Sequence, residues 1–186
     1  HCKGLVKNEN GSYFYDIEDL DHNGNVDLSD GGDRYIAGQA TPKVILGSNI
    51  SFRYKNYYIS IQMNGAFGHK IFNGTGLAYT SMACFPDYNV FKDAPKKNII
   101  DQRVSDYWLE KGDYLNFEHL TIGYNVPLRS KLIRSLRVSC NISNIGTITG
   151  YKGLTPMINS YVVNSTMGID DKRNYPLYRT YSLGLS

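Results

Sequence analysis

The sequence has no long hydrophobic run and no segment with the composition of a secretory leader. Nowhere do about 18 apolar residues follow one another, so no transmembrane helix is expected. The first residues also lack the charged region and the short apolar core of a signal peptide. This pattern fits a cytoplasmic protein, and it fits equally well a segment of a longer chain, because His1-Cys2 is not a natural translation start.

Charge and catalytic side chains are also sparse. Charged residues make up 20% of the chain, and the net charge of +3 is spread along it, so no nucleic-acid partner is predicted. The four histidines have no motif around them. Glu110 and Glu118 do not form a recognisable acid–base constellation. The sequence therefore does not predict an enzyme.

The chain has three cysteines, an odd number, and their spacing is not that of metal ligands. Cys140 alternates with apolar residues, which predicts a small hydrophobic side chain on the apolar face of a strand. Cys2 and Cys84 lie in segments without periodicity, and the sequence leaves open whether they pair.

Tyrosine, by contrast, is abundant, with 16 residues, and many of them lie in segments that alternate between apolar and polar side chains. The alternation in KVILGSNISFRY (43–54) and YYISIQMNGAF (57–67) has a period of two, which predicts two strands. The two-residue break between them predicts a hairpin. Similar alternation predicts further strands at 113–126, 135–148 and 176–186, while 1–18, 68–106 and 150–175 are expected to be irregular.

The predicted strands have the ~9–11 residues that a tilted strand needs to cross a bilayer. Their connections alternate between short (55–56, 127–134) and long (68–106, 150–175), which is typical of outer-membrane barrels. The expected fold class is all-β: an antiparallel meander of about five long strands, part of a large transmembrane β-barrel, with long outer loops and short periplasmic turns. A soluble β-domain is the alternative, but it needs a second apolar sheet face.

A calcium-loop pattern precedes these strands in DLDHNGNVDLSD (19–30), where Gly24 occupies the position of the sharp turn. The predicted oxygen ligands are Asp19, Asp21, Asn23, Asn25 through its carbonyl, Asp27 and Asp30. Asp30 is shorter than the usual glutamate, and Gly31-Gly32 argue against the helix that would follow in an EF-hand. A structural Ca²⁺ clip is expected, and a metal-free Asx-rich turn is the alternative.

Several motifs occur in the order found in one transporter family. They are Asp33-Arg34, the stretch from Gly38 to Lys43, GHKIFN (68–73), YWLEKGDYLNFEHLTIGY (107–124), LRVSCNISNIGTITGYKGLTP (136–156) and YPLYRTYSLGLS (175–186). Together they resemble the C-terminal barrel segment of SusC/RagA-type TonB-dependent outer-membrane transporters. The chain departs from the family pattern at His69, at Thr155, and at Ser186, where a closing aromatic strand end is usual.

The resemblance implies import of glycan or peptide fragments across the outer membrane, together with a SusD-like surface lipoprotein. The TonB complex would act through an N-terminal region that this sequence does not contain. Residues 1–42 would be an outer loop region that contains the calcium motif, and 43–186 would supply C-terminal β-barrel strands and loops in contact with outer-membrane lipid. By hairpin parity, the acidic loop is expected outside the cell and the turn at 55–56 in the periplasm.

Aromatic residues in the long loops are candidates for contact with a substrate or with the lipoprotein lid. They are Tyr79, Phe85, Tyr88, Tyr151 and Tyr161. Ordinary loop packing explains them equally well. A soluble, calcium-clipped β-domain that acts as a binding module is the alternative function for the whole chain.

Overall fold

The computed structural model describes residues 1–27, 29, 32–128, 135–158 and 167–186. Its strands are β1 (Cys2–Lys7), β2 (Tyr13–Ile17), β3 (Val44–Tyr54), β4 (Tyr57–Phe67), β5 (Lys70–Asn73), β6 (Leu109–Lys111), β7 (Tyr114–Val126), β8 (Leu136–Thr149), β9 (Ile169–Asp170) and β10 (Thr180–Leu185). Its helices are α1 (Gly74–Thr80) and α2 (Ala94–Lys97), with 3₁₀ turns at Met82–Cys84 and Asp106–Trp108. Among the described residues, no helix combines the length and the apolar character needed to span a membrane.

The chain forms two compact units that alternate along the sequence. The first, here called the loop unit, consists of His1–Thr41, His69–Lys111 and Tyr151–Asn174. The second, the sheet unit, consists of Pro42–Gly68, Gly112–Gly150 and Tyr175–Ser186. The chain therefore leaves and re-enters each unit.

The sheet unit is a five-stranded antiparallel sheet with the strand order β10-β8-β7-β4-β3. Strands that follow one another within this unit are neighbours in the sheet, so the predicted all-β antiparallel meander is confirmed. Four strands begin and end within about a residue of the prediction. The fifth is shorter than predicted, because pairing with β8 begins only at Thr180. Pro176 lies in the part that does not pair, and proline has no backbone N–H to donate to a ladder.

The strand register gathers the apolar residues on one face of this sheet. Phe52 pairs with Ile59, which pairs with Ile122, and the same row continues through Cys140 to Leu183. This row confirms the prediction that Cys140 lies on an apolar face. Phe52 is 64% exposed and Leu183 is 84% exposed, so the face remains open to its surroundings at both ends of the row.

In the loop unit, β1 and β2 form an antiparallel hairpin, so the prediction of an irregular segment over 1–18 was wrong. The hairpin closes through a bond from the Asn8 N–H to the Ser12 carbonyl, with Gly11 at φ +82°. Its buried centre is Tyr15, which packs with Ile99 and Trp108. The strands are too short, and the register between Cys2 and Gly4 too irregular, for a period of two to be visible in the sequence.

The long segments predicted to be irregular also contain regular structure. β5 pairs with β6 in antiparallel fashion and with β9 in parallel fashion, and α1 follows β5 directly. The Asn73 side chain caps α1 by accepting from the Gly76 N–H at 2.6 Å. Gly76 is required there, since a Cβ at this position would lie 2.6 Å from the Trp108 ring. Elements this short fall below the length at which hydrophobic periodicity identifies them.

Candidate functional site

The acidic loop of the loop unit brings three carboxylates together. One oxygen from each of Asp19, Asp21 and Asp33 lies within 4.8 Å of the others. Asp33 is buried, at 4% exposure, and its carboxylate accepts from the backbone N–H groups of Leu20 (2.5 Å), Asp21 (3.4 Å) and Asp27 (2.8 Å). The loop is therefore folded around Asp33, which holds its two ends together.

In the first half of the loop, side chains accept hydrogen bonds from backbone N–H groups that lie two to five residues later in the sequence. Asp19 accepts from the Gly24 N–H at 2.8 Å, Asp21 from the Asn23 N–H at 3.1 Å, and Asn23 from the Asn25 N–H at 2.7 Å. The bond from Gly24 lowers the pKa of Asp19. The other carboxylate oxygen of Asp19, Oδ1, is buried and has no hydrogen-bond partner in the described structure. It is an acceptor that a cation could satisfy.

The second half of the loop departs from the predicted ligand set. Asp27 accepts from both the backbone N–H (2.9 Å) and the hydroxyl (2.6 Å) of Ser29, and the hydroxyl bond is the main reason that its pKa is lowered. Asp27 is not part of the carboxylate cluster, and Asp30 lies outside the described residues. Asp33 was missed as a candidate because it lies beyond the end of the calcium-loop template, although the Asp33-Arg34 motif marks it in the sequence.

The candidate aromatic contacts occupy different environments. Phe85 and Tyr88 are 60% and 65% exposed, so both rings are open to a partner. The Tyr79 ring packs edge-on against Phe91, with 5.9 Å between the ring centroids. Tyr161 lies outside the described residues. Phe85 and Tyr88 are thus the members of this set that a ligand can reach most readily.

Tyr151 is 6% exposed and belongs to a buried polar cluster. Its hydroxyl donates to Asp170 Oδ2 at 2.8 Å, and the Thr75 hydroxyl donates to Asp170 Oδ1 at 2.7 Å. Burial, followed by the bond to Asp170, raises the pKa of Tyr151. Loop packing, the alternative explanation considered for these aromatics, accounts for Tyr151.

The polar face of the five-stranded sheet carries hydrogen bonds from strand to strand. They join Ser51 to Ser60 (2.9 Å), Thr121 to Asn141 (2.8 Å), Thr147 to Asn116 (2.9 Å), His119 to Ser143 (3.1 Å) and Asn64 to Glu118 (2.5 Å). Glu118 was not a candidate site residue from the sequence. A signal for it was present, because the apolar positions change parity between Phe117 and Leu120, and such a change indicates a β-bulge.

No protein-family model matches the chain, but individual receptors are similar to it in sequence. The TonB-dependent receptor P3 of Formosa agariphila is 28% identical over 185 residues, an alignment that covers 90% of this chain and 18% of the receptor. The TonB-dependent receptor SusC of Bacteroides thetaiotaomicron is 26% identical over 193 residues, which cover 97% of this chain and 18% of SusC.

Solved structures give the same result for the fold. The RagAB peptide importer in its closed-closed state superposes on 97% of this chain with a TM-score of 0.67 and 16% identity. In sequence and in fold, the chain is similar to a segment of SusC/RagA-type TonB-dependent transporters. The open-open state of RagAB also superposes on this chain with a TM-score of 0.67.

The chain spans about a fifth of the length of these proteins, covering 20% of the chain in the closed-closed RagAB structure and 18% of SusC. The proteins that it resembles are named as receptors and importers and not as enzymes, which confirms the prediction that the chain is not an enzyme.

Proposed function

We propose that this chain forms part of the wall and outer loops of a transporter in the outer membrane. The transporter imports glycan or peptide fragments, works with a SusD-like surface lipoprotein, and draws energy from the TonB complex. The similar proteins support this role, since they are TonB-dependent receptors and a peptide importer. The oligosaccharide or peptide substrate passes along the polar side of the sheet, and outer-membrane lipid covers the apolar side.

The observation that carries this proposal is the asymmetry of the five-stranded sheet. One face presents rows of apolar side chains, of which Leu183 and Leu185 are 84% and 76% exposed. The other face presents amides and hydroxyls that bond to one another across the strands. In a bilayer the apolar face contacts lipid and the polar face contacts water, which is the alternation of a transmembrane barrel.

Cell fractionation tests this proposal. An antibody against the segment is used on separated membranes and on the soluble fraction, with samples run unheated and boiled. We expect one large band in the outer membrane whose mobility changes on boiling, because folded barrels migrate differently from unfolded ones. A soluble band of about 21 kDa, the mass of this chain, would contradict the proposal and favour the calcium-clipped binding module.

The exposed aromatic rings of the loop unit are proposed contacts for the lipoprotein lid or for substrate. Phe85 and Tyr88 together offer apolar surface that is rigid and costs little entropy to immobilise. Replacing both with alanine is expected to reduce the lipoprotein recovered when the transporter is purified from membranes. The matched control is Tyr151→Phe, which removes a buried hydroxyl and leaves the exposed rings of Phe85 and Tyr88 in place.

We also propose that the acidic loop binds Ca²⁺ as a structural clip. Asp19, Asp21 and Asp33 supply oxygen atoms, the ligand type that calcium prefers, and Asp19 Oδ1 is the acceptor left without a partner in the described structure. A bound cation would offset the repulsion among the three carboxylates and hold the loop closed. Its role is stability of the loop unit.

Protease resistance of the loop tests the calcium clip in the purified transporter. Calcium is expected to slow cleavage between residues 19 and 33 relative to a sample with a chelator, and Asp21→Ala should remove that difference. Glu9→Ala, which changes an exposed carboxylate outside the loop, is the control and should leave the calcium effect intact. Equal cleavage of the unaltered protein with and without calcium would leave the metal-free turn as the explanation.

A further inference from the structure

The central strand of the sheet unit contains a β-bulge at Glu118. On one side of β7, Gln62 pairs with His119 and Met63 pairs with Phe117, so Glu118 has no partner in the β4 register. On the other side, the register with β8 passes from Phe117 to His119 and again skips Glu118. A bulge within a paired strand redirects a side chain and is commonly found beside functional sites.

The redirected carboxylate lies on the polar face of the sheet, against Asn64 of β4. The Asn64 amide nitrogen donates to Glu118 Oε1 at 2.5 Å. A carboxylate accepts hydrogen bonds and does not donate them, so the NH₂ group of Asn64 must face Glu118. The amide oxygen of Asn64 therefore faces away, where it is buried and has no hydrogen-bond partner in the described structure. An unsatisfied buried acceptor destabilises the folded protein, and a donor from a ligand would remove that cost.

These two acceptors border a groove of about 460 Å³, a volume within the usual range of ligand sites. Asn49 and Gln62 line its sides, and Gly47 lines it without a side chain. A Cβ built on Gly47 would meet no atom within 4 Å, so the space above this residue is open. Among the described residues that line the groove, Glu118 alone is charged, and its negative charge faces no lining cation.

We propose that this groove is a cargo-binding subsite that recognises a primary ammonium group, such as the amino group of a lysine side chain or of a peptide N-terminus. An ammonium has three donors and no acceptor, and it matches the Glu118 carboxylate and the Asn64 amide oxygen together. The neutral amides of Asn49 and Gln62 line the same groove and would bond to polar groups of the cargo beside the ammonium. This subsite deepens the proposed import function and rests on that function, because import places the groove on the face along which cargo moves.

The test is binding of trilysine to the full-length transporter purified in detergent, measured by equilibrium dialysis. The comparison ligand is trilysine with every amino group acetylated, which has the same backbone and no ammonium. We expect trilysine to bind at least about tenfold more tightly than the acetylated peptide, because a hydrogen bond to a charged group contributes about 1.5–3 kcal/mol. Equal binding of the two peptides would overturn the proposal.

Two variants assign the binding to this groove. Glu118→Gln keeps the shape of the side chain and removes its charge, and it should weaken trilysine binding about tenfold. Gly47→Leu breaks no hydrogen bond, fills the open space above Gly47, and should also weaken binding. Thr121→Val removes a hydroxyl from the same face outside the groove and should bind trilysine as the unaltered protein does. Each variant is first checked for the boiling-dependent shift in mobility that shows a folded barrel.

The outcomes separate this subsite from the proposed function. The subsite proposal is overturned if Glu118→Gln binds trilysine as tightly as the unaltered protein does. It is also overturned if the unaltered protein binds Ca²⁺ from CaCl₂ in a Glu118-dependent manner and does not bind trilysine. If the protein is in the outer membrane but trilysine does not bind, the subsite fails and the import function stands. If the protein is absent from the outer membrane but binds trilysine through Glu118, the groove recognises ammonium groups and the import function fails.

Discussion

Asp33 shows how one carboxylate can organise a loop that carries few apolar contacts. It is buried, and it accepts from three backbone N–H groups that no helix or sheet ladder satisfies. A loop this polar has little hydrophobic burial to stabilise it, so its geometry depends on such bonds. Asp33 therefore determines the positions of Asp19 and Asp21 whether or not a metal ion is bound.

The first prediction at the residue scale concerns Asp33→Ala. The substitution leaves the N–H groups of Leu20, Asp21 and Asp27 without their acceptor, at a cost of about 1–3 kcal/mol for each group that stays buried. Amide hydrogen exchange within 19–33 should become faster, while exchange in β3 and β4 stays unchanged. Protection of the loop equal to that of the unaltered protein would show that Asp33 does not hold it.

Tyr15 gives a prediction that depends on pH. Burial raises its pKa to about 12, above the ordinary value of 10. The unfolded chain therefore loses this proton first, and stability should fall as the pH rises from about 10 to about 12. The Tm of the unaltered protein should drop more steeply across this interval than that of Tyr15→Phe, which has no phenol to ionise.

The same variant has a cost at neutral pH. The Trp108 indole N–H donates to the Tyr15 hydroxyl at 2.8 Å, and Tyr15→Phe leaves this buried donor without an acceptor. The expected loss is about 1–3 kcal/mol, seen as a lower Tm at pH 7. Parallel pH profiles of the two proteins between pH 10 and 12 would contradict the assignment of the titration to Tyr15.

At the scale of elements, neighbouring residues of β4 face opposite sides of the sheet. Ile61 pairs with Ile50 and Leu120 in an apolar row, and Ser60 bonds to the Ser51 hydroxyl on the polar face. Ile61→Lys should destabilise the folded barrel by about 2–4 kcal/mol if it lies near the middle of the bilayer, and Ser60→Lys should have little effect. Unfolding in lipid vesicles by denaturant measures both, and equal effects of the two substitutions would contradict the assignment of lipid to the Ile61 face.

Long strands were predictable from the sequence, and short elements were not. In β3 and β4, the alternation persists for 11 residues each, long enough to identify both strands and the hairpin that joins them. The β1–β2 hairpin has strands of 6 and 5 residues and a register irregularity near Gly4, so its apolar residues show no sustained period. In α1, a polar cap and a tryptophan from a distant segment stabilise a helix of 7 residues.

The candidate site was predictable in part, for a related reason. Asp19 and Asp21 belong to a local motif whose spacing is visible in the sequence. Asp33 joins them only because the loop folds back on itself. Tyr151 is held in its buried position by a hydrogen bond to Asp170, which is 19 residues away in the sequence. Glu118 lay within a strand that was predicted correctly, but its orientation depends on the bulge.

For the whole molecule, hairpin parity predicts which parts are exposed to the outside of the cell. In a background without Cys2, Cys84 and Cys140, each of which is a free thiol in the described structure, single cysteines are introduced at Asn25 and at Asn56. A membrane-impermeant maleimide applied to intact cells should label Asn25→Cys in the acidic loop and not Asn56→Cys in the β3–β4 turn. Both should react once the cells are broken, and labelling of Asn56→Cys in intact cells would reverse the topology.

The interleaving of the two units has a consequence for the order of assembly. Three stretches build the loop unit, and strands of the sheet unit separate each stretch from the next. Phe72 of β5 pairs with Ile169 of β9, so the small parallel pair cannot form until all of β7 and β8 has been synthesised. Asp170, which accepts hydrogen bonds from the hydroxyls of Thr75 and Tyr151, lies in the last stretch of the loop unit. On the ribosome, the loop unit is complete at Asn174, before Tyr175–Ser186 and β10 complete the sheet unit. A chain interrupted directly after β8 would have four of the five sheet strands and a loop unit without β9 and without the bonds to Asp170.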